Sequence, residues 1–223
     1  LDARADICKG VWQYAQGRAG WARRLKLNPR DAKNDRHGFA VYAVFAIAGS
    51  AQVSAISELR RAMYSGVEDP PAYVNAPAHV TVKRLFTGIP NVEAVQEAIH
   101  GICESTKPFR VELGADPESR DADGPSLTVP VKSTPELVAL NQSLEMAIGP
   151  LADTEYGAQD FYPHMTVFQD AAPEESEKGL RLAKGLRLGT GFYVETLEMM
   201  ARTAPFRGGR WTSLASFELD IWS

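Results

Sequence analysis

The 223-residue chain has only two cysteines, Cys8 and Cys103, and no CxxC spacing. A disulfide framework or a zinc site built on cysteine is therefore not expected, and a reducing compartment is the natural setting. The longest apolar run, GFAVYAVFAIAG at 38–49, is shorter than the roughly 20 residues that a helix needs to span a bilayer. We therefore expect a cytoplasmic protein that works away from the membrane.

An excess of positive charge is also missing. The 24 Lys and Arg residues are outnumbered by 28 Asp and Glu, which gives a formal net charge of −4. A protein that binds long nucleic acids along their phosphate backbone needs a basic surface, so long structured RNA is not the expected partner. A small anionic substrate in a local pocket stays compatible with this balance. The basic segment 18–36 is either an anion-binding arm or, more simply, a solvated helix packed through Trp12 and Trp21.

From residue 38 onward, strand and helix patterns alternate in two similar rounds. The first round contains the strands GFAVYAVFAI, AHVTVKRLF and FRVEL, with the helices AQVSAISELRRAMYSG and NVEAVQEAIHGICES between them. The second contains the helices TPELVALNQSLEMAIGPL and EESEKGLRLAKGL around the strand FYPHMTVF, followed by the strands GFYVETLEMMAR and WTSLASFELDIW. Between the rounds, ADPESRDADGP is predicted to be a loop and SLTVPV an edge strand, because Pro130 lacks a backbone donor. We predict an N-terminal helical extension over 1–36 and one compact domain over 37–223.

Each round contains one strand in which a histidine and a threonine are two residues apart. His79 and Thr81 lie in PAHVTVKRLF, and His164 and Thr166 lie in FYPHMTVFQD. Alternate side chains of a strand point to opposite faces, so each pair shares a face while its valine and methionine neighbours face a core. The chain has only four histidines, and two of them occupy matching positions of the repeat.

Two imidazoles and two hydroxyls on facing strands suit phosphodiester cleavage. One neutral histidine can accept a proton while a protonated one donates, because the unperturbed pKa of histidine is about 6.5. Threonine hydroxyls can donate hydrogen bonds to non-bridging phosphate oxygens and stabilise charge without a metal. Two alternatives stay open. The histidine–threonine pairs can be structural polar pairs whose hydrogen bonds are satisfied within the fold. They can also belong to a metal site that adds Asp160 or Asp170, which the strand period places on the His164 face. The first motif brings no matching carboxylate, and metal sites usually need three or more protein ligands.

The tetrapeptides HVTV and HMTV resemble the paired His-x-Thr/Ser-x signatures of the 2H phosphoesterase superfamily, which includes the bacterial LigT-like 2′,3′-cyclic phosphodiesterases. The resemblance covers about residues 38–222. It implies an α+β, bilobal, pseudo-twofold fold with two mostly antiparallel sheets, outer helices and a central cleft. It also implies that His79 and His164 are the acid–base pair, that Thr81 and Thr166 bind phosphate, and that no metal or cofactor is used.

The implied activity is metal-independent hydrolysis of 2′,3′-cyclic phosphates on nucleotides or RNA ends. The expected partner is a nucleotide or short RNA, and a monomer is expected. Cleavage of 2′–5′ linkages with ligase-like activity is the alternative within the enzyme class. A non-catalytic module that binds nucleotides or RNA ends is the alternative outside it, although binding alone does not need two proton-transfer groups.

Four further residues are candidates for substrate binding. Strict alternation places Lys83 on the face of His79, where its charge would lie near a phosphate; a strand-end lysine reaching solvent is the alternative. Tyr162 shares the face of His164 and can stack on a base or fill the cleft rim. Arg207 and Arg210 flank two glycines in TAPFRGGRW, which suits either an anion-contacting flap or a hairpin turn with solvated arginines.

Overall fold

The computed structural model describes residues 33–87, 89–120, 126–154 and 161–220. The predicted N-terminal helix and Asp160 lie outside these ranges. The described helices are α1 Ser50–Met63, α2 Val92–Cys103, α3 Pro135–Ile148 and α4 Pro173–Ala183, with a 3-10 turn at Ala72–Asn75. The described strands are β1 Val41–Ile47, β2 His79–Thr87, β3 Phe109–Glu112, β4 Glu118–Arg120, β5 Ser126–Pro130, β6 Asp153–Thr154, β7 His164–Phe168, β8 Gly191–Val194, β9 Thr196–Arg202 and β10 Trp211–Glu218.

Side-chain caps begin two of the helices at the positions that the sequence predicts. The Asn91 side chain accepts a hydrogen bond of 3.1 Å from the Ala94 amide at the start of α2. The Thr134 hydroxyl accepts one of 3.3 Å from the Leu137 amide at the start of α3. Each cap satisfies one of the backbone donors that the first turn of a helix leaves without a partner.

Most strands of both halves join in one antiparallel sheet. Its order is β10-β9-β1-β2-β7-β5-β4, with β6 pairing the end of β2, while β3 and β8 form a separate two-stranded sheet. The predicted α+β fold with mostly antiparallel sheets is confirmed, although the strands are divided unequally. The two motif strands, β2 and β7, are neighbours at the centre of the large sheet.

Helices α1, α2 and α3 contribute buried side chains to the large core cluster on one face of this sheet, and α4 packs against that cluster through the partly buried Ala183. Strand β1 is buried from Val41 to Ala46 because its alternate residues face two different clusters: Tyr42 and Val44 face the helices, and Ala43 and Phe45 face the other side. Helix α3, which precedes β7, packs on β2, and α1, which precedes β2, packs on β7. Each of these helices therefore packs on the motif strand of the other half, and the pseudo-twofold symmetry itself stays a prediction.

Three local predictions differ from the structure. GFYVETLEMMAR is divided between β8 and β9, which belong to different sheets and are separated by Glu195. ADPESRDADGP contains the short strand β4. Strand β5 was predicted to lie at a sheet edge, but it is an interior strand between β7 and β4. Strand β4 pairs only with Ser126–Thr128, so the amide donor that Pro130 lacks interrupts no hydrogen bond to β4. None of the helices within the described ranges is long and apolar enough to cross a membrane.

Candidate active site

The two motif strands meet at a single central pair. Val80 of β2 lies opposite Met165 of β7 in antiparallel register, and both side chains are fully buried. Continuing that register by one residue sets His79 across from Thr166, and Thr81 across from His164. Residues directly opposite each other share a face of the sheet, with Cβ atoms about 5 Å apart. The four motif side chains therefore lie together on the sheet face opposite the described helices, which we call the motif face.

Both histidines are oriented by the same backbone contact. The Nδ1 atom of His79 lies 2.7 Å from the Pro77 carbonyl oxygen, and that of His164 lies 2.9 Å from the Tyr162 carbonyl oxygen. A carbonyl oxygen can only accept, so Nδ1 carries the proton in each ring. In both motifs Nε2 is consequently the nitrogen that can exchange a proton with a substrate.

His79 lies in a more apolar environment than the sequence indicated. Its ring stacks on Phe45, with centroids 3.4 Å apart and planes 10° apart, and the Trp211 ring centroid lies 5.2 Å from that of Phe45. Burial, together with the positive charges of Arg60 and His164, lowers the pKa of His79 to about 3, against the opposing hydrogen bond to Pro77. His79 is therefore neutral at pH 7.

This shift predicts an acid-dependent loss of stability. The unfolded chain takes up a proton on His79 near pH 6.5, whereas the folded chain does so only near pH 3, so the free energy of unfolding falls as pH falls through this window. We expect the His79→Gln variant to lose less stability than the wild type between pH 7 and pH 4.5, measured by urea unfolding. The His100→Gln variant, changed at an exposed helix position, is the control and should follow the wild type. Equal losses in the wild type and His79→Gln would contradict the predicted shift.

The prediction that Lys83 shares the face of His79 is wrong. Thr81 lies opposite Phe45, but Lys83 lies opposite the adjacent Val44, so β2 contains one extra residue, Val82, at this point. Such a bulge reverses the alternation. The Lys83 side chain is consequently on the helix side of the sheet, 1% exposed, where its ammonium is paired with Glu145 of α3. This position does not support a phosphate contact.

The other candidate residues divide between the site and its surroundings. Tyr162 is exposed, and its ring centroid lies 6.0 Å from that of His164, in keeping with a place beside a substrate. Arg207 instead forms a two-pronged ion pair with Glu175 of α4, at 2.7 and 3.3 Å, and donates to the Asp69 carbonyl. It therefore fixes its loop to α4. Arg210 is exposed on the same loop, where its amide donates to the Thr203 hydroxyl.

Asp170 lies two residues beyond the end of β7, with a φ of 53°. The alternation along β7, which predicted that Asp170 shares the His164 face, ends before this residue. Within the described ranges, no group of three or more His, Cys, Asp or Glu side chains is arranged to hold a metal ion. Metal-independent chemistry stays a prediction.

Sequence reasoning missed several residues beside the motifs. Phe45 stacks on His79, and Trp211 lies beside Phe45. Thr128 of β5 lies opposite Thr166, and the Arg60 side chain of α1 donates hydrogen bonds to the backbone of β7. A signal existed for Arg60 alone. It falls four residues after Ile56, on the stripe that the helical period assigns to the core, where a charged residue is unexpected.

Comparison with solved structures defines the class of fold. TT0787 of Thermus thermophilus matches with a TM-score of 0.58 and 16% identity, over 80% of this chain and 97% of that chain. E. coli LigT complexed with 3′-AMP matches with a TM-score of 0.54 and 14% identity, over 80% and 97%. LigT complexed with NADP+ matches with a TM-score of 0.52 and 14% identity, over 80% and 96%. At these identities the likeness shows the fold, which is that of the 2H phosphoesterases.

The family follows from the sequence. The family model described as the 2′-5′ RNA ligase superfamily matches residues 48–205. The chain belongs to this superfamily of phosphoesterases, and the resemblance predicted from the paired motifs is confirmed. No curated protein matches the chain.

Proposed function

We propose that the protein is a phosphodiesterase that opens 2′,3′-cyclic phosphates of nucleotides or RNA ends. The observation that carries the proposal is the arrangement on the motif face: two imidazoles, each fixed through Nδ1 to a backbone carbonyl, beside two threonines. LigT, which shares the fold, is complexed with 3′-AMP and with NADP+ in its solved structures, which supports a nucleotide ligand here.

The difference between the two histidines supports an assignment of roles. His79 is neutral at neutral pH because burial lowers its pKa, so its Nε2 can take the proton of the attacking water. The water oxygen then bonds to phosphorus, and the bond from phosphorus to one ribose oxygen breaks. His164 donates its Nε2 proton to that leaving oxygen. Thr81 and Thr166 donate hydrogen bonds to the non-bridging oxygens, where negative charge develops.

A second candidate substrate is a 2′–5′ linkage, which the name of the matching family model favours. The same four side chains serve it, since the reaction again moves one proton to a ribose oxygen. Metal independence, the cytoplasmic location, the monomeric state and the domain boundary at residue 37 remain predictions.

A substrate panel separates these activities. Purified protein in excess EDTA should hydrolyse 2′,3′-cyclic nucleotides or oligonucleotides ending in a cyclic phosphate faster than 2′–5′ or 3′–5′ dinucleotides. Products resolved by the position of the phosphate report which ribose oxygen leaves. Preference for the 2′–5′ dinucleotide would replace the first candidate by the second. Binding without turnover of any substrate would point to a non-catalytic module, and activity restored only by a divalent ion would contradict the metal-free mechanism.

A further inference from the structure

Arg60 lies beneath the motif face and is only 1% exposed. Its guanidinium makes four hydrogen bonds, and all four acceptors are backbone carbonyl oxygens. Nε donates to Val167 at 2.9 Å, Nη2 to Thr166 at 2.8 Å, and Nη1 to Tyr73 at 3.0 Å and Ala76 at 2.7 Å. The guanidinium has five donors on three nitrogens in a fixed plane, so it can bind four separate carbonyls at once, whereas a lysine ammonium has three donors on a single nitrogen.

Two of these carbonyls belong to the second motif, and the other two belong to the segment that leads into the first. Thr166 and Val167 are the third and fourth residues of the second motif, and Ala76 precedes Pro77, whose carbonyl orients the His79 ring. Since β2 and β7 pair directly only at Val80 and Met165, the guanidinium provides a second connection between the two motif segments.

We propose that Arg60 is a positioning residue of this site: it holds the approach to His79 against the backbone of Thr166, and its buried charge favours a phosphate anion on the motif face. The proposal rests on the proposed function for its catalytic part, whereas its binding part stands on the geometry alone.

Among the described residues, the charge of Arg60 is balanced by dipoles and not by a carboxylate hydrogen-bonded to it. Burial lowers its pKa to about 10, so the guanidinium is still protonated at pH 7. The Tyr73 ring lies 5.4 Å from its central carbon. A buried cation is costly unless it is compensated, and a substrate phosphate would supply the missing negative charge.

A neutral counterpart of Arg60 provides the matched control. Asn141 of α3 is buried, and its amide donates to the Val82 carbonyl at 2.7 Å. Val82 occupies the same place in the first motif that Val167 occupies in the second. Asn141 thus anchors a motif strand to a helix without adding a charge.

The variants Arg60→Lys, Arg60→Gln and Asn141→Leu separate charge from anchoring. The readouts are the affinity for inorganic phosphate, the pKa of His79 from NMR titration of its ring, and kcat and KM on the best substrate of the panel. The positive charges of Arg60 and His164 act electrostatically on His79, and Glu198 of β9, which lies opposite Phe45, is on the same face of the sheet as His79. Far-UV circular dichroism establishes that each variant is folded.

In Arg60→Gln we expect phosphate affinity to fall about tenfold and the pKa of His79 to rise, because a like charge is removed. Arg60→Lys should keep both values near wild type but lower kcat about tenfold or more, since the fork is lost. Asn141→Leu should lower stability and leave the pKa of His79 and phosphate affinity unchanged.

Wild-type phosphate affinity and an unchanged pKa of His79 in folded Arg60→Gln would overturn the proposal. If Arg60→Gln does not fold, Arg60→Lys tests the positioning role instead, because wild-type kcat in that variant would overturn it. Phosphate binding and the NMR titration do not require turnover. A chain that hydrolyses nothing in the panel but shows both shifts would therefore refute the proposed function and leave the binding role of Arg60 supported.

Discussion

Turnover should fall by at least about a thousandfold when either His79 or His164 is replaced by alanine. Acid or base catalysis by one positioned side chain contributes roughly 10²–10⁴-fold, and both proton transfers occur in the same reaction. The His164 side chain lies on a partly exposed sheet face, so its removal should change the thermal midpoint little, whereas His79→Ala also loses the stack on Phe45. The measurement is kcat on a 2′,3′-cyclic nucleotide, together with a thermal unfolding scan of each variant.

The control is His100→Ala. His100 is exposed on α2, where it lies 3.6 Å from Glu104, and its replacement should leave kcat unchanged. The pH profile of the residual activity in the two motif variants distinguishes the base from the acid. Loss of the base should flatten the acidic limb of the profile, and loss of the acid should flatten the alkaline limb. Because His79 is the proposed base, His79→Ala should flatten the acidic limb. Activity within a few-fold of wild type in either motif variant would refute the paired mechanism.

The sequence predicts the motif face because its pattern is local and repeated. A period of two assigns His79 and Thr81 to one face without knowledge of any neighbouring strand, and the second copy does the same for His164 and Thr166. The structure adds that the two strands pair directly, with Val80 opposite Met165. That pairing joins residues far apart in the chain by a register that no local pattern contains.

The sequence predictions fail where a neighbouring strand or helix changes the alternation or the partner that the local sequence pattern implies. The alternation in β2 reverses at Val82 because β1 offers one residue fewer across from it, and nothing in HVTVKRLF marks this bulge. The stack of His79 on Phe45 depends on the same pairing. For Arg207 the sequence left open an anion-contacting flap and a hairpin turn with solvated arginines, whereas in the structure its guanidinium is paired with the Glu175 carboxylate of this chain. A sequence shows which groups can bind a phosphate, and the fold decides which of them already have a partner.

The place of Lys83 in the fold has a consequence for stability. Its side chain is 1% exposed while that of its partner Glu145 is 21% exposed. Removing the carboxylate leaves an ammonium buried without its charged partner, whereas removing the ammonium leaves a carboxylate that can still turn toward water. Breaking a buried ion pair from one side costs about 3–5 kcal/mol, so we expect Glu145→Leu to reach that range and Lys83→Met to cost less.

Urea unfolding of Glu145→Leu, Lys83→Met and the double variant tests this order. The double variant should be more stable than Glu145→Leu, because it removes the buried ammonium together with the carboxylate. The Lys132–Glu112 pair, whose side chains are 66% and 51% exposed, is the control, and its disruption should cost no more than about 1 kcal/mol. Lys83→Met should also keep the wild-type KM, because its ammonium lies on the helix side of the sheet. A large rise in KM without a loss of stability would instead place Lys83 beside the substrate phosphate, as strict alternation along β2 predicts.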